Sequence, residues 1–316
     1  MSGPRSSFLE RLLRSLDAPT TRQNLDDYDE VDAIRLLKGD ELREAEDALI
    51  AKLDGNDGRA ANALGLIGSP RALEALRNAL VTSTRPVVRV FAARNLLQAA
   101  GDAGGIDAVI QAAQTGTEDQ KLIAVSTLKL FRETKAYDAL ERAFSDADGS
   151  VRIAALDGLL ERYGVLDGSA SKTSTIGMLE IQLASRFASE RLDAQQKLTE
   201  LFKKFREGST PEQLGVHDCV DESKDSVNTF MKSLESREPP WGDTLALDSL
   251  TALTGSEREW AEHLLIARLP YDFRAAAALA HLKARRAIEP MRELLSTPPN
   301  EAIRAAVEAS LKIIEG

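Results

Sequence analysis

Residues 59–80 read RAANALGLIGSPRALEALRNAL, and residues 274–295 read RAAAALAHLKARRAIEPMRELL. The two stretches align without a gap, one starting at 59 and the other at 274, 215 positions apart. In each, a small residue is followed four positions later by leucine, Ala60/Leu64 and Ala275/Leu279. The same pair recurs as Ala92/Leu96, Ala124/Leu128 and Ala155/Leu159, so that successive leucines stand 32, 32 and 31 residues apart, and again as Val307/Leu311, 32 beyond Leu279. A fixed period of this length is the signature of stacked supersecondary units.

Each unit reads as two helices. In 71–80, Leu73, Leu76 and Leu80 fall at i, i+3 and i+7, one helical face. Ile303, Val307, Leu311 and Ile314 form a similar stripe, and Asn300 after Pro298-Pro299 is placed to cap that helix. Short breakers separate the two helices of a unit, such as Gly68-Ser69-Pro70, and polar turns such as Asp146-Ala147-Asp148-Gly149-Ser150 separate the units. The expected fold is therefore all-α, an α-solenoid of stacked helical hairpins of about 31 residues, in which alanines at the crossings let axes approach to roughly 8–10 Å. Arg89, Lys121, Arg152 and Arg304 each stand three positions before the small residue, and each is expected to pair with an acidic or carbonyl group of the adjoining turn.

The pattern of basic residue, small residue and leucine, followed by a turn and a second helix, resembles short HEAT-like repeats, of the kind found in phycobilin lyases and many bacterial scaffold proteins. The resemblance covers 57–165 and 272–314, and 243–270 reads as a degenerate unit anchored by Ala246/Leu250. Four segments follow: an acidic helical cap over 1–55, HEAT-like repeats over 56–165, a divergent or inserted helical region over 166–240, and C-terminal repeats over 241–316. For 166–240 a divergent continuation of the stack is the expectation, because the repeats resume beyond it. The resemblance implies architecture and almost nothing about activity.

Composition narrows the classes. The 316 residues are 43% hydrophobic but only 5% aromatic, which suits close-packed helices. A formal charge of −10 argues against a nucleic-acid partner and against a basic groove of the sort HEAT-like glycosylases need. One cysteine, Cys219, excludes an internal disulfide and any metal site built on several thiolates of one chain. The start MSGPRSSFLERLLRSL is broken by Glu10, Arg11 and Arg14, and there is no apolar run of about 18 residues, so neither signal peptide nor membrane insertion is expected and the location read from the chain is cytoplasmic.

Chemistry has little to stand on. His217, His263 and His281 are none of them followed by Glu, so the His-Glu pairs of iron-binding HEAT-repeat hydroxylases are missing. No HExxH, GxSxG or phosphate-cradling loop is present. His217-Asp218-Cys219 reads as an ordinary polar segment, and His281, aligned with Leu66, as a packed or half-buried helix position. The turn at 146–150 has glycine at the fourth position rather than the sixth of a calcium loop, and its aspartates are better read as caps. No catalytic residue, metal ligand or cofactor is assigned, and the chain is expected not to be an enzyme.

The surface carries the remaining signal. From Asp26 to Asp54 there are eleven acidic and four basic residues. Glu41, Glu44 and Asp47 are the proposed contacts there for a partner protein with a basic surface. The second helices of the repeats add Arg71, Glu74, Arg77, Asp138, Glu141 and Arg142 in one arm and Arg286, Glu289 and Arg292 in the other. The reading is a non-catalytic scaffold, adaptor or inhibitor, one version being an immunity-type inhibitor. The alternative is an accessory subunit of an enzyme such as a chromophore lyase or other HEAT-repeat modification enzyme.

Overall fold

Six of the seven anchor pairs of the repeat are buried in the computed structural model, from Ala60 and Leu64 to Val307 and Leu311; in the degenerate unit Leu250 is buried but Ala246 only half-buried. The structure describes residues 6–17, 31–55, 57–165, 174–216, 224–235 and 245–316. Among these, all regular structure is helical, and the chain divides into two compact units, 1–159 and 160–316.

The first unit contains α1 (Ser7–Leu16), α2 (Gly39–Asp54), α3 (Gly58–Ile67), α4 (Pro70–Thr82), α5 (Pro86–Ala100), α6 (Ile106–Thr115), α7 (Glu118–Leu128), α8 (Thr134–Ala143) and α9 (Gly149–Arg162). Hairpins α3/α4, α5/α6 and α7/α8 stack in order, with α3 lying along α5 and α5 along α7. Leu9, Leu12 and Leu16 of α1, together with Leu49 and Leu53 of α2, join one core with Leu64, Leu76, Phe91 and Leu96. An end repeat has no neighbour on one side, and these two helices cover that otherwise exposed apolar face.

Local chemistry sets the helix ends. Ser69 caps α4 by accepting from the Ala72 N–H at 3.0 Å, with Pro70 in the first turn. Asn300 caps its helix as expected, accepting from Ile303 N–H at 2.9 Å. Asp148 likewise accepts from Val151 N–H at 3.0 Å. Gly68, at φ 60°, ends α3 in the left-handed conformation, and the residue aligned with it, Lys283, adopts φ 51°. The second copy keeps the turn without the glycine that makes it easy.

Three of the four basic residues of the repeat lock adjoining turns. Arg89 Nε donates to Leu80 O at 3.0 Å, Lys121 Nζ to Asp146 Oδ2 at 2.6 Å, and the buried Arg152 to Asp146 O and Ala147 O at 2.7 and 2.9 Å. Arg304 does not: it faces Glu301 of its own helix at 3.7 Å. His281 also departs from expectation. It is exposed and contacts Thr251 Oγ1 at 2.8 Å, and its aligned partner Leu66 is exposed too.

The doubled stretch begins with a feature that its alanines and leucines hide. Asp57 caps α3 and grips the buried Arg59 through Oδ1 at 3.0 Å and Oδ2 at 2.7 Å. Asp272 grips the buried Arg274 through the same atoms at 3.0 and 2.8 Å, and each aspartate accepts from the arginine's own N–H at 3.1 Å. One carboxylate thus orders a helix start and neutralises a guanidinium in the core.

Between the first two repeats, Asn95 of α5 donates to Asn62 Oδ1 of α3 at 2.7 Å and to Phe91 O at 2.8 Å. A Cβ on Gly65 would meet Asn95 Oδ1 at 2.1 Å, so the asparagine occupies the space that the glycine leaves. In the second copy Asn62, Gly65 and Asn95 align with Ala277, Ala280 and Ser310, a smaller set without the amide pair.

The second unit contains α10 (Thr175–Ala184), α11 (Ala188–Arg206), α12 (Asp225–Glu235), α13 (Leu247–Ala252), α14 (Gly255–Arg268), α15 (Phe273–His281), α16 (Ile288–Ser296) and α17 (Glu301–Glu315). α15 lies along α17 with α16 against α17, as α3 lies along α5 in the first unit. Phe187, Val227, Phe230 and Leu234 from the divergent region share one core with Trp260, Leu279, Met291 and Leu311. Its described part is therefore packed with the repeats that follow it.

Candidate functional site

The second helices of the first unit present paired charge. Arg71 on α4 forms an ion pair with Asp47 on α2 and lies 3.8 Å from the buried Glu46. Arg77 Nε reaches Asp102 at 3.2 Å and its NH1 reaches Glu74 at 3.7 Å. The Gly104 N–H, then Arg77, holds the Asp102 carboxyl below the usual carboxylate value. Lys135 on α8 meets Asp107 on α6 at 2.6 Å. Asp138 and Arg142 are exposed beside them, and Glu141 is half-buried. The face is an alternation of positive and negative groups held by neighbouring repeats.

The acidic patch is less free than its charge suggests. Glu41 accepts a hydrogen bond from the Ser6 N–H at the start of α1, and Glu46 accepts one from Ser69 Oγ. Asp47 is the Arg71 partner, while Glu44 is half-buried. Glu41 and Asp47 thus also hold α1 and α4 in place. Asp26, Asp27, Asp29 and Glu30, the most acidic part of the segment, lie outside the described residues, as do His217, Asp218 and Cys219.

In the second unit Glu289 pairs with Arg292 at 2.7 Å, and Arg292 reaches Glu315 at 2.8 Å. The hydrogen bonds from Glu315 and Glu289 raise the Arg292 guanidinium above its ordinary value. Glu293, which replaces Asn78 of the first copy, accepts from Ala188 N–H at 3.1 Å. That difference between the copies has an internal use, anchoring the start of α11.

Arg286 belongs to a larger, partly buried network that the sequence did not disclose. Its Nε meets Glu262 at 2.9 Å, and its NH1 meets Glu259 at 3.0 Å and His263 Nε2 at 2.6 Å. A guanidinium only donates, so His263 Nε2 is an acceptor and Nδ1 carries the proton, which it donates to Glu190 Oε2 at 2.8 Å. His263, Glu190 and Gln182 are all buried. Gln182 Nε2 lies 2.9 Å from the ring nitrogens and 3.1 Å from Asp193 Oδ2. Lys197 joins Asp193 at 2.9 Å. Burial would raise the Asp193 and Glu259 carboxyls, but Lys197 and Arg286 respectively, with further hydrogen bonds and charges, bring both below the usual carboxylate value. Gln182, Asp193, Lys197 and Glu259 line a groove of about 620 Å³.

Nothing in this network is arranged as a nucleophile with its base. The His263 acceptor nitrogen is covered by Arg286, and the described residues contain no cluster of His, Cys, Asp and Glu able to hold a metal ion. No described helix is long and apolar enough to cross a membrane.

Comparison with known families accords with the geometry. The family of HEAT repeats matches residues 73–160, and the PBS lyase HEAT-like repeat matches residues 58–82 and 273–297, ranges that enclose the two copies of the doubled stretch. None of the curated proteins compared with the chain matches it. With helical hairpins stacked in the first unit, their pattern resumed in the second, and family matches on both, the chain carries HEAT-like repeats in each of its two units.

Proposed function

We propose that the chain is a non-catalytic scaffold, adaptor or inhibitor that docks a partner protein on the second-helix face of its first unit. The observation that carries this reading is the run of exposed, oppositely charged groups there: Glu74 and Arg77 on α4, Asp107 on α6, and Lys135, Asp138 and Arg142 on α8. Such a face offers complementary charge to a partner that is itself patterned, and gives it specificity and rate more than raw affinity. The acidic residues of α2 extend it toward a basic partner, with the exposed Asp40 at its edge. An immunity-type inhibitor is the version in which that partner is a basic toxin. The groove in the second unit favours a second reading, an accessory subunit that handles a small molecule.

The test is capture at low salt followed by identification, with wild type and a Glu74→Lys/Asp138→Lys variant in parallel. Both positions are exposed, so the variant is expected to melt with wild type and to lose the captured protein. Equal capture by both chains, or no protein captured with a small molecule retained instead, overturns the reading.

A further inference from the structure

The groove of the second unit combines three features. Its walls include Met178 and Leu179 from α10, Leu201 from α11, and Leu214 and Val216 beyond α11. Its polar lining includes Gln182, which is 1% exposed and whose Oε1 accepts no hydrogen bond among the described residues. The amide orientation is set by Asp193: an ionised carboxylate only accepts, so the group 3.1 Å from its Oδ2 is the NH2, and the oxygen is the atom left over. A buried carbonyl in that condition is a standing penalty in a chain whose other cores are filled with alanine and leucine.

The third feature is an ammonium already seated there. Lys197 Nζ stands 2.9 Å from Asp193 Oδ2 and 3.7 Å from Glu259 Oε1, on a side chain that is 42% exposed. Its side chain is open to solvent on one side, toward which it can swing. The charged residues lining the groove are Asp193, Glu200 and Glu259 against Lys197 and Lys204, an excess of negative charge that favours a cation over an anion. The volume lies in the range of small-molecule sites.

We propose that this groove binds a small amphipathic molecule bearing a primary ammonium. The ammonium displaces Lys197 Nζ between Asp193 and Glu259, in the wall that also holds Gln182, while the apolar body lies on Met178, Leu179, Leu201, Leu214 and Val216. Lys197 is then a resident competitor that keeps the seat filled when no ligand is present. The site is distinct from the charged face of the first unit and does not depend on any protein partner.

The experiment is calorimetric titration of the full chain with octylammonium, and with octanoate as a probe of the same length and opposite charge. Saturable binding of octylammonium is expected, with none of octanoate. Glu259→Gln removes one charged acceptor and weakens binding by about tenfold. Lys197→Met removes the competitor and tightens it by severalfold, an effect that a merely structural lysine or a detergent-like association does not produce. Lys197 is exposed, so this variant keeps its fold even where Glu259→Gln does not. Octanoate binding as well as octylammonium, an unchanged or weaker affinity in Lys197→Met, or no saturable binding to either chain overturns the proposal.

Discussion

Replacing Asp272 by alanine tests the reading of the doubled stretch at its most buried point. Side chains of Asp272 and Arg274 are 3% and 1% exposed, and the carboxylate holds the guanidinium at 3.0 and 2.8 Å while capping α15. Removing one member of a buried pair costs about 3–5 kcal/mol, because the surviving charge stays in the core without its counter-ion. About 1 kcal/mol of that is the lost N-cap. Asp57 is the internal control. It makes the same contacts to Arg59 but its side chain is 18% exposed, so water relieves part of the loss and Asp57→Ala should cost about 1–3 kcal/mol. A double variant, Asp272→Ser with Arg274→Met, keeps a capping oxygen and replaces the charge by an apolar chain; it should lie within about 1 kcal/mol of wild type.

Both tryptophans, Trp241 and Trp260, fall within residues 160–316, so tryptophan fluorescence during urea unfolding reports the unit that contains Asp272. The midpoint should fall at constant slope, since the change leaves the buried area nearly unaltered. A loss below about 1 kcal/mol for Asp272→Ala, or a double variant as unstable as the single, would refute the argument that a buried charge, not a cap alone, is at stake.

Two further outcomes are expected. Lys283 holds φ 51° where its aligned residue is Gly68, and a side chain in that conformation costs about 1–2 kcal/mol. Glycine also gains unfolded-state entropy, so Lys283→Gly should stabilise by a net amount of about 0.5–1 kcal/mol; a lower thermal midpoint contradicts this. For pH, burial would raise the Asp146 carboxyl, but Lys121 and the Asp148 N–H bring it below its ordinary value. A carboxyl depressed in the folded state contributes stability that is full above the unfolded value of about 3.9 and is lost as pH falls through the folded value. Asp146→Asn should therefore lose stability near neutral pH and show a shallower acid decline below about pH 4, measured as urea midpoints across pH 3–7. Parallel pH curves for the two chains rule out that assignment.

What could be read from the sequence follows from the range of the interactions. Stacking imposes small residues and leucines at one register every 31 or 32 positions, and that demand is local and repeated, so the helices, the hairpins and the burial of the regular anchor pairs were legible. The locks made by Arg89, Lys121 and Arg152 were legible for the same reason. Arg304 was not, because an acidic residue one turn earlier on its own helix, Glu301, lies within its reach. The Asp-x-Arg caps at 57–59 and 272–274 stand in plain order in the sequence, but they occur at only two of the repeats, so the period does not mark them. The His263 network had no sequence signal at all: Glu190 and Gln182 are 73 and 81 positions from the histidine, and no spacing rule links them. Surface charge was visible as composition, yet only the fold reveals that Glu41 and Asp47 are bonded to α1 and α4.

The asparagine lodged over Gly65 has a bearing on how such an array can change its length. Transplanting 274–282 into the place of 59–67 brings an alanine methyl onto the position of Asn95 Oδ1 and deletes the acceptor that Asn62 provides. Repeats that share one pattern are therefore not exchangeable parts. Each junction is keyed by residues on both sides of it, so a duplicated hairpin fits only when its two neighbours change with it. The order of the stack is encoded in those mismatched joints, while the shared alanines and leucines would permit any order.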